Sequence, residues 1–188
     1  MNGISAIGIK AIYYGIALSA VAKPFVDGDS TSGLSPAELK AFLAAATTKQ
    51  ITNVHGETWK YEKTKPTKTY YKNQLTGKNY RGSVTDNGSS KISFSIGKYD
   101  FETKADIEGG TGGADKYSAA SLYKEKSLTL VGLTEDGVYI VYPKADIIAG
   151  TVTTDNALAI EVEATAMEPD IAIESEAQIR KSAVDAVA

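Results

Sequence analysis

Regular alternation of apolar and polar residues between Lys91 and Pro169 limits the fold of this chain more than any other feature. Short β-prone stretches follow one another there, separated by turns rich in glycine or acidic residues. A repeat of two residues is typical of a half-buried strand, whereas a helix repeats about every 3.6 residues. The pattern predicts a mainly β fold, either a β-barrel or a two-sheet sandwich, with a packed helix, a short helical turn and extended arms.

The clearest strand is predicted from Ala157 to Met167. One face collects the apolar residues Leu158, Ile160, Val162, Ala164 and Ala166. Glu161 and Glu163 fall on the opposite face together with Ala159 and Thr165. Because side chains alternate across a strand, we expect one buried side and one side in solvent, with both glutamates on the solvent side.

The elements before this strand follow a distinctive order. A strand at 91–96 leads into a short helical segment at 99–108 and then into the Gly109–Gly113 turn. A strand at 127–131, the Glu135-Asp136-Gly137 turn and a strand at 138–145 come next. Within the strand at 138–145, Pro143 and Ala145 are separated by one residue.

This order resembles the major tail tube proteins of long-tailed bacteriophages, within the tail tube and secretion-tube superfamily, over roughly 80 of 188 residues. In that family a helical segment and a glycine-rich turn precede a final β-meander with a recurrent Pro-x-Ala step. The resemblance implies a structural virion protein, assembled in the host cytoplasm, rather than an enzyme. Copies would close hexameric rings that stack head to tail with other tail proteins, and DNA would pass through the lumen without specific binding.

The resemblance also implies roles for individual residues. Glu161 and Glu163 become candidates for the lumen wall, where negative charge repels phosphates and prevents salt-dependent sticking of DNA. A long exposed hairpin commonly reaches the neighbouring subunit, and residues 57–82 are its counterpart here. The candidates for that inter-subunit arm are Trp59, Tyr61, Lys65, Lys68, Tyr70, Tyr71 and Lys72.

The composition of residues 57–82 leaves another interpretation open. Alternation at 58–63 predicts a half-buried strand, and Pro66 favours an edge or a hairpin tip. Tyrosines interleaved with lysines can also stack bases and neutralise phosphates, so a module that binds single-stranded nucleic acid is one alternative, and a plain solvated β-hairpin is another. The sequence pI of about 5.3 argues against it, since such domains are usually basic.

Two segments depart from the family pattern. Ser35, Pro36 and Glu38 form a capping box with proline at the first helical position, which predicts a helix over 36–48. This helix comes early, so the resemblance makes it an insertion. A C-terminal extension at 170–188 passes the usual last strand, and the Ser175-Glu176-Ala177-Gln178 pattern predicts a short helix towards Val187.

Length and charge point to one domain that associates with copies of itself. The 188 residues fit a single tail-tube-like domain over 1–188. Residues 49–104 carry eleven basic and five acidic groups, whereas residues 105–188 carry six basic and fifteen acidic groups. Two solvated faces of opposite charge would explain this asymmetry. The other interpretation is head-to-tail contact between the basic part of one copy and the acidic part of the next, which repeats without closure and builds filaments.

No catalytic, cofactor or metal site is predicted. The chain has no cysteine, and its single histidine, His55, lacks an obvious Ser or Asp partner. Asp27 and Glu38 have calcium-loop spacing, but Ser32 replaces the expected glycine and Glu38 already serves the capping box. Gly109–Gly113 lacks the Gly-Lys-Ser/Thr step of a phosphate loop, so we expect a tight turn.

The N-terminal region supports one further alternative. Residues 11–22 are apolar and end in Ala20-Val21-Ala22, which resembles a signal-peptidase site. Lys10 interrupts this run, and no basic residue precedes it, so we instead predict one or two strands between Ile4 and Leu18. The alternative is a secreted or surface adhesin-like or fimbria-like β-sandwich subunit with residues 1–22 as its export signal. The sequence contains no run of 18 apolar residues that could span a bilayer.

Overall fold

The computed structural model describes residues 8–122, 125–154 and 156–187. This part of the protein is mainly β, with 43% strand and 12% helix, as the alternation of residues predicts. The strands are β1 (Ala11–Ile16), β2 (Lys49–Ile51), β3 (Lys60–Lys63), β4 (Thr67–Lys72), β5 (Asn79–Asp86), β6 (Ser90–Ile96), β7 (Thr111–Gly112), β8 (Tyr117–Ser118), β9 (Ser127–Leu133), β10 (Val138–Thr154), β11 (Ala157–Ala166) and β12 (Ala177–Arg180). The helices are α1 (Pro36–Ala44), α2 (Phe101–Glu108) and α3 (Lys181–Asp185).

Eight strands form one antiparallel sheet in the order β2-β1-β9-β10-β11-β6-β3, with β12 paired to β10. After β2 the chain returns to the far side of this sheet, where Val54 pairs with Ile96. The two ends of the sheet therefore approach each other. No sheet in the described ranges closes into a barrel, so the barrel expected as one possible architecture is not found within the subunit.

Strand β10 is long because a β-bulge lets it pair with different neighbours along its length. Tyr142 pairs with Leu130 and Ala145 pairs with Leu128, so one extra residue of β10 lies between these two pairs. Pro143 occupies the bulge, where its missing N–H removes no regular ladder hydrogen bond. Strand β10 pairs with β12 before the bulge and with β11 after it.

The main sheet packs against a core on both faces. One cluster collects alternate residues of β1, β6, β9, β10 and β11, including Phe94, Tyr142 and Ile160. The opposite cluster joins Val131 and Val141 of the sheet to α1 and to the C-terminal segment. Because Val141 and Tyr142 are successive residues, they illustrate the alternation that assigns side chains to opposite faces.

Helix α1 begins as its capping residues predict. The Ser35 hydroxyl accepts a hydrogen bond from the Glu38 N–H at 3.3 Å, and the Glu38 carboxylate accepts one from the Ser35 N–H at 2.8 Å. Leu39 and Phe42 are buried on the sheet. The helix ends at Ala44 rather than at residue 48, because Ala45 has extended backbone angles.

Helix α2 confirms the predicted helical segment before the glycine-rich turn. The Asp100 carboxylate accepts a hydrogen bond from the Thr103 N–H at 2.6 Å and starts the helix. Gly109 and Gly110 then have φ angles of 92° and 100°, which other residues rarely adopt. Strands β7 and β8 form a small ribbon directly after them.

The C-terminal segment differs from its prediction. The capping-box pattern at Ser175 predicts the start of a helix, but Ala177–Arg180 forms β12 and pairs with Val138–Val141 of β10. This pairing buries Ile179, and such tertiary contacts override a local capping preference. Helix α3 therefore begins only at Lys181.

At the other end of the chain, β1 begins at Ala11, and the predicted strand residues Ile4–Ile7 lie outside the described ranges. None of the described helices is long and apolar enough to cross a membrane.

Candidate assembly surfaces

The β4–β5 hairpin stands apart from the core. Within the described ranges its strands pair only with each other, from Thr67 opposite Asp86 to Lys72 opposite Asn79. Every residue of β4 is exposed, and one residue of β5 is partly buried. At the tip, Leu75 is 95% exposed. An isolated two-stranded hairpin is only marginally stable in water, so this one would gain stability from a partner surface.

The hairpin carries aromatic and basic side chains. The ring of Tyr70 lies over Gly82 on the opposite strand. On the other face, the Arg81 guanidinium lies 5.8 Å from the centroid of the Tyr71 ring. Tyr70, Tyr71 and Tyr80 are 58%, 45% and 69% exposed. Tyrosine and arginine are enriched in protein interfaces, and residues 64–89 carry five basic side chains against one acidic side chain.

The structure separates the seven predicted arm residues into two groups. Lys65, Lys68, Tyr70, Tyr71 and Lys72 are exposed in the hairpin or at its base. Trp59 and Tyr61 precede the hairpin and pack on the core, with the Trp59 ring centroid 6.3 Å from that of Phe94. Composition alone does not distinguish the two groups, because both contain aromatic residues between lysines.

A short hinge, residues 64–66 and 87–89, joins the hairpin to β3 and β6. The Thr64 N–H donates to the Ser89 carbonyl at 2.9 Å, and the Ser89 N–H donates to the Thr64 hydroxyl at 2.7 Å. Pro66 interrupts the ladder because it has no N–H. Gly88 has a φ of 77°, and a Cβ there would lie 2.3 Å from the Thr64 carbonyl oxygen, so the hinge requires glycine at this position.

The second surface is the solvent-exposed face of β10, β11, β6 and β3. Glu163 lies opposite Ile148 of β10 and Ser93 of β6, and Glu161 lies opposite Gly150. Gly150 leaves open space above the sheet, and Ile148 is 54% exposed. Both predicted lumen residues therefore lie on one open sheet face with an apolar centre.

This face carries more acidic than basic side chains, and the basic ones offset part of its negative charge. Its cross-strand register places on it the acidic residues Glu62, Asp146, Glu161 and Glu163 and the basic residues Lys60 and Lys91. The Lys91 ammonium lies 2.7 Å from the Glu163 carboxylate. Four acidic and two basic side chains leave two negative charges, which is the net charge that a ligand facing the sheet would meet.

The end of the β10–β11 hairpin extends beyond its neighbours. Strand β9 pairs with β10 only as far as Asp146, and β6 pairs with β11 only from Ile160 onwards. On one side, the Thr151 hydroxyl hydrogen-bonds to the Glu108 carboxylate of α2 at 2.5 Å. Beyond Ile147, whose N–H donates to the Lys126 carbonyl at 3.0 Å, the described backbone of this end pairs within its own hairpin. Unpaired strand edges of this kind are templates for pairing with another chain.

Glu176 ties the C-terminal segment to β3, next to the hairpin hinge. Its carboxylate accepts hydrogen bonds from the Tyr61 hydroxyl at 2.5 Å and from the Lys63 ammonium at 2.9 Å. Burial alone would raise the pKa of Glu176, but these hydrogen bonds outweigh burial and hold that pKa below its usual range. Burial, together with the contact to Glu176, raises the pKa of Tyr61. Sequence patterns give no sign of this contact, because Tyr61 and Glu176 are 115 residues apart.

The His55 backbone and Asp29, which lies in the Asp27–Glu38 segment with calcium-loop spacing, take part in hydrogen bonds within loops. The His55 carbonyl accepts a hydrogen bond from the Thr58 hydroxyl at 2.8 Å in the turn before β3. Asp29 accepts from the Lys23 ammonium at 2.7 Å, which holds the pKa of Asp29 below its usual range. Within the ranges that the structure covers, no group of three or more histidine, cysteine, aspartate or glutamate side chains could hold a metal ion.

No family model matches the chain, and a comparison with curated proteins finds no match. Three surfaces of the described residues are available for contact with other molecules: the exposed hairpin, the acidic sheet face and the open strand edges.

Proposed function

We propose that this chain is the repeating subunit of a phage tail tube. Copies close hexameric rings, the rings stack head to tail within the virion tail, and DNA passes through the lumen. Assembly takes place in the host cytoplasm, where the first ring contacts other tail proteins. The role is structural and requires no reaction at any residue.

The exposed β4–β5 hairpin is the observation that carries this proposal. Its tyrosines and Leu75 lie in solvent on a ribbon that has no packed face. Among the described residues of a single subunit, the ribbon buries no aromatic ring and so adds no stability. A neighbouring copy would bury the rings and pair with the strand edges. The hairpin therefore serves as the inter-subunit arm.

The open sheet face supports the assignment of a lumen. Strands β10, β11, β6 and β3 present this face to solvent, and the β10–β11 end offers unpaired edges. Joining these edges between neighbouring copies closes a barrel around a channel, which the subunit alone does not form. Glu161 and Glu163 then line that channel and repel the phosphates of passing DNA.

Charge complementarity supports stacking. The excess of basic residues in 49–104 includes the hairpin, and the excess of acidic residues lies in 105–188. Contact between these regions on successive rings orients the stack and strengthens association at low salt.

Sedimentation velocity over a concentration series tests the proposal. We expect species much larger than the 19.9 kDa subunit to grow with concentration and to decline as salt is raised. A single monomeric species at every concentration and salt would contradict the proposal. Salt-sensitive binding of single-stranded DNA that is lost when Lys65, Lys68 and Lys72 are neutralised would favour the nucleic-acid-binding alternative instead.

A further inference from the structure

The base of the hairpin is fastened by a segment remote in sequence. Strand β3 has four residues, pairs with β6 on one side and leads directly into the hinge. Three of its four residues are exposed, so Tyr61 is the one side chain of this strand that packs on the core. Short edge strands with few buried contacts open at low free energy.

The C-terminal segment, residues 171–187, supplies the fastening and is called the strap here. Its strand β12 extends the sheet at β10, and α3 buries Val184 near α1. Two carboxylates of the strap contact different parts of the protein. Glu174 accepts a hydrogen bond from the Leu34 N–H at 3.2 Å, and Glu176 binds Tyr61 and Lys63 of β3.

We infer that the strap sets the position of the β4–β5 hairpin, and that Glu176 is the positioning residue that clamps β3 to the strap. With the clamp closed, bending is confined to the hinge at 64–66 and 87–89. When the hydrogen bonds of Glu176 to β3 break, β3 frays from the sheet. The point about which the hairpin bends then moves from the hinge towards Thr58. The hairpin then samples many orientations and loses its preorganisation for a partner.

The contacts of Glu176 are strong enough for this task. The Glu176 side chain is 9% exposed, and among its side-chain donors, Tyr61, Lys63 and Gln178, the Lys63 ammonium is charged. Hydrogen bonds to a charged group in a poorly hydrated site are stronger than neutral ones in water. The mechanical coupling stands on this geometry alone, and only its consequence for ring assembly rests on the proposed function.

Hydrogen exchange measured by mass spectrometry on dilute, monomeric protein tests the clamp. We expect Glu176→Ala to speed exchange of the amides in Lys60–Lys63 and of Thr64 by about tenfold or more, with exchange in β9 and β10 unchanged. Tyr61→Phe keeps the ring and removes one donor, so the same amides should exchange faster by a smaller factor. Glu174→Ala is the matched control, because it removes a strap carboxylate that does not touch β3.

Equal exchange rates of the β3 amides in Glu176→Ala and Glu174→Ala would overturn the inference. Exchange of the β3 amides that is unchanged in both single variants, Tyr61→Phe and Glu176→Ala, would also overturn it. If Glu176→Ala also loosens β9 and β10, Tyr61→Phe decides: local loosening of β3 supports the clamp, and none refutes it. Because these samples are monomeric, failure of the clamp is separate from failure of the ring proposal, which sedimentation of the unmodified protein reports.

Discussion

Replacing Tyr70, Tyr71 and Tyr80 together by serine is expected to abolish assembly while leaving the subunit folded. All three rings lie on the hairpin, outside both hydrophobic clusters. An aromatic side chain at the centre of an interface contributes about 2 kcal/mol or more, so losing several should weaken each contact by roughly a thousandfold or more. Sedimentation velocity measures the loss of assembly, and thermal unfolding checks that the subunit is intact.

Leu122→Ser provides the matched control for this experiment. Leu122 is an exposed large apolar residue outside the hairpin, so its replacement removes apolar surface without touching the arm. We expect the control to assemble as the unmodified protein does. Full assembly of the triple tyrosine variant would contradict the role given to the hairpin.

Reversing the charge of both Glu161 and Glu163 to lysine is expected to make assembled tubes retain DNA. The open sheet face changes from four acidic and two basic side chains to two acidic and four basic ones. The half-exposed Lys91–Glu163 pair is lost, at about 1 kcal/mol, and the new lysine at position 163 also repels Lys91, so thermal unfolding checks that the variant is folded. The affinity of the variant tubes for linear duplex DNA, measured by gel shift, should fall about a thousandfold or more between 50 and 200 mM salt, because each bound phosphate releases counterions. Sedimentation at both salt concentrations separates this loss of affinity from disassembly of the tubes.

The double variant Asp115→Lys with Glu168→Lys makes the same change in net charge elsewhere. Both positions are exposed and lie outside the open sheet face. Retention of DNA by the Glu161 and Glu163 variant alone supports the lumen assignment. Equal retention by both double variants would show that net charge, and not the position of the glutamates, governs DNA binding.

Elements with local signals could be predicted from the sequence. The capping residues Ser35 and Glu38 specify the start of α1, and their hydrogen bonds form as predicted. In the middle of β11, Ile160 and Val162 are fully buried while Glu161 is exposed, which follows from alternation along one strand. Each of these features depends on residues close in sequence.

Features that depend on distant residues could not be predicted. The pattern at Ser175 has the spacing of a helix cap, but the residues that follow pair with the edge of β10 and form β12. Tyr61 looks like an arm residue by composition, yet its hydroxyl binds Glu176 from the far end of the chain. Local preferences are weak compared with burial and strand pairing, and only the tertiary structure shows which of them prevails.

Negative-stain electron microscopy of the purified full-length protein over a concentration series tests the central claim most directly. We expect hollow rings, and tubes at higher concentration, with a central channel of about 20 Å or more that admits a DNA duplex. Uniform small particles of subunit size at the highest concentration would contradict it.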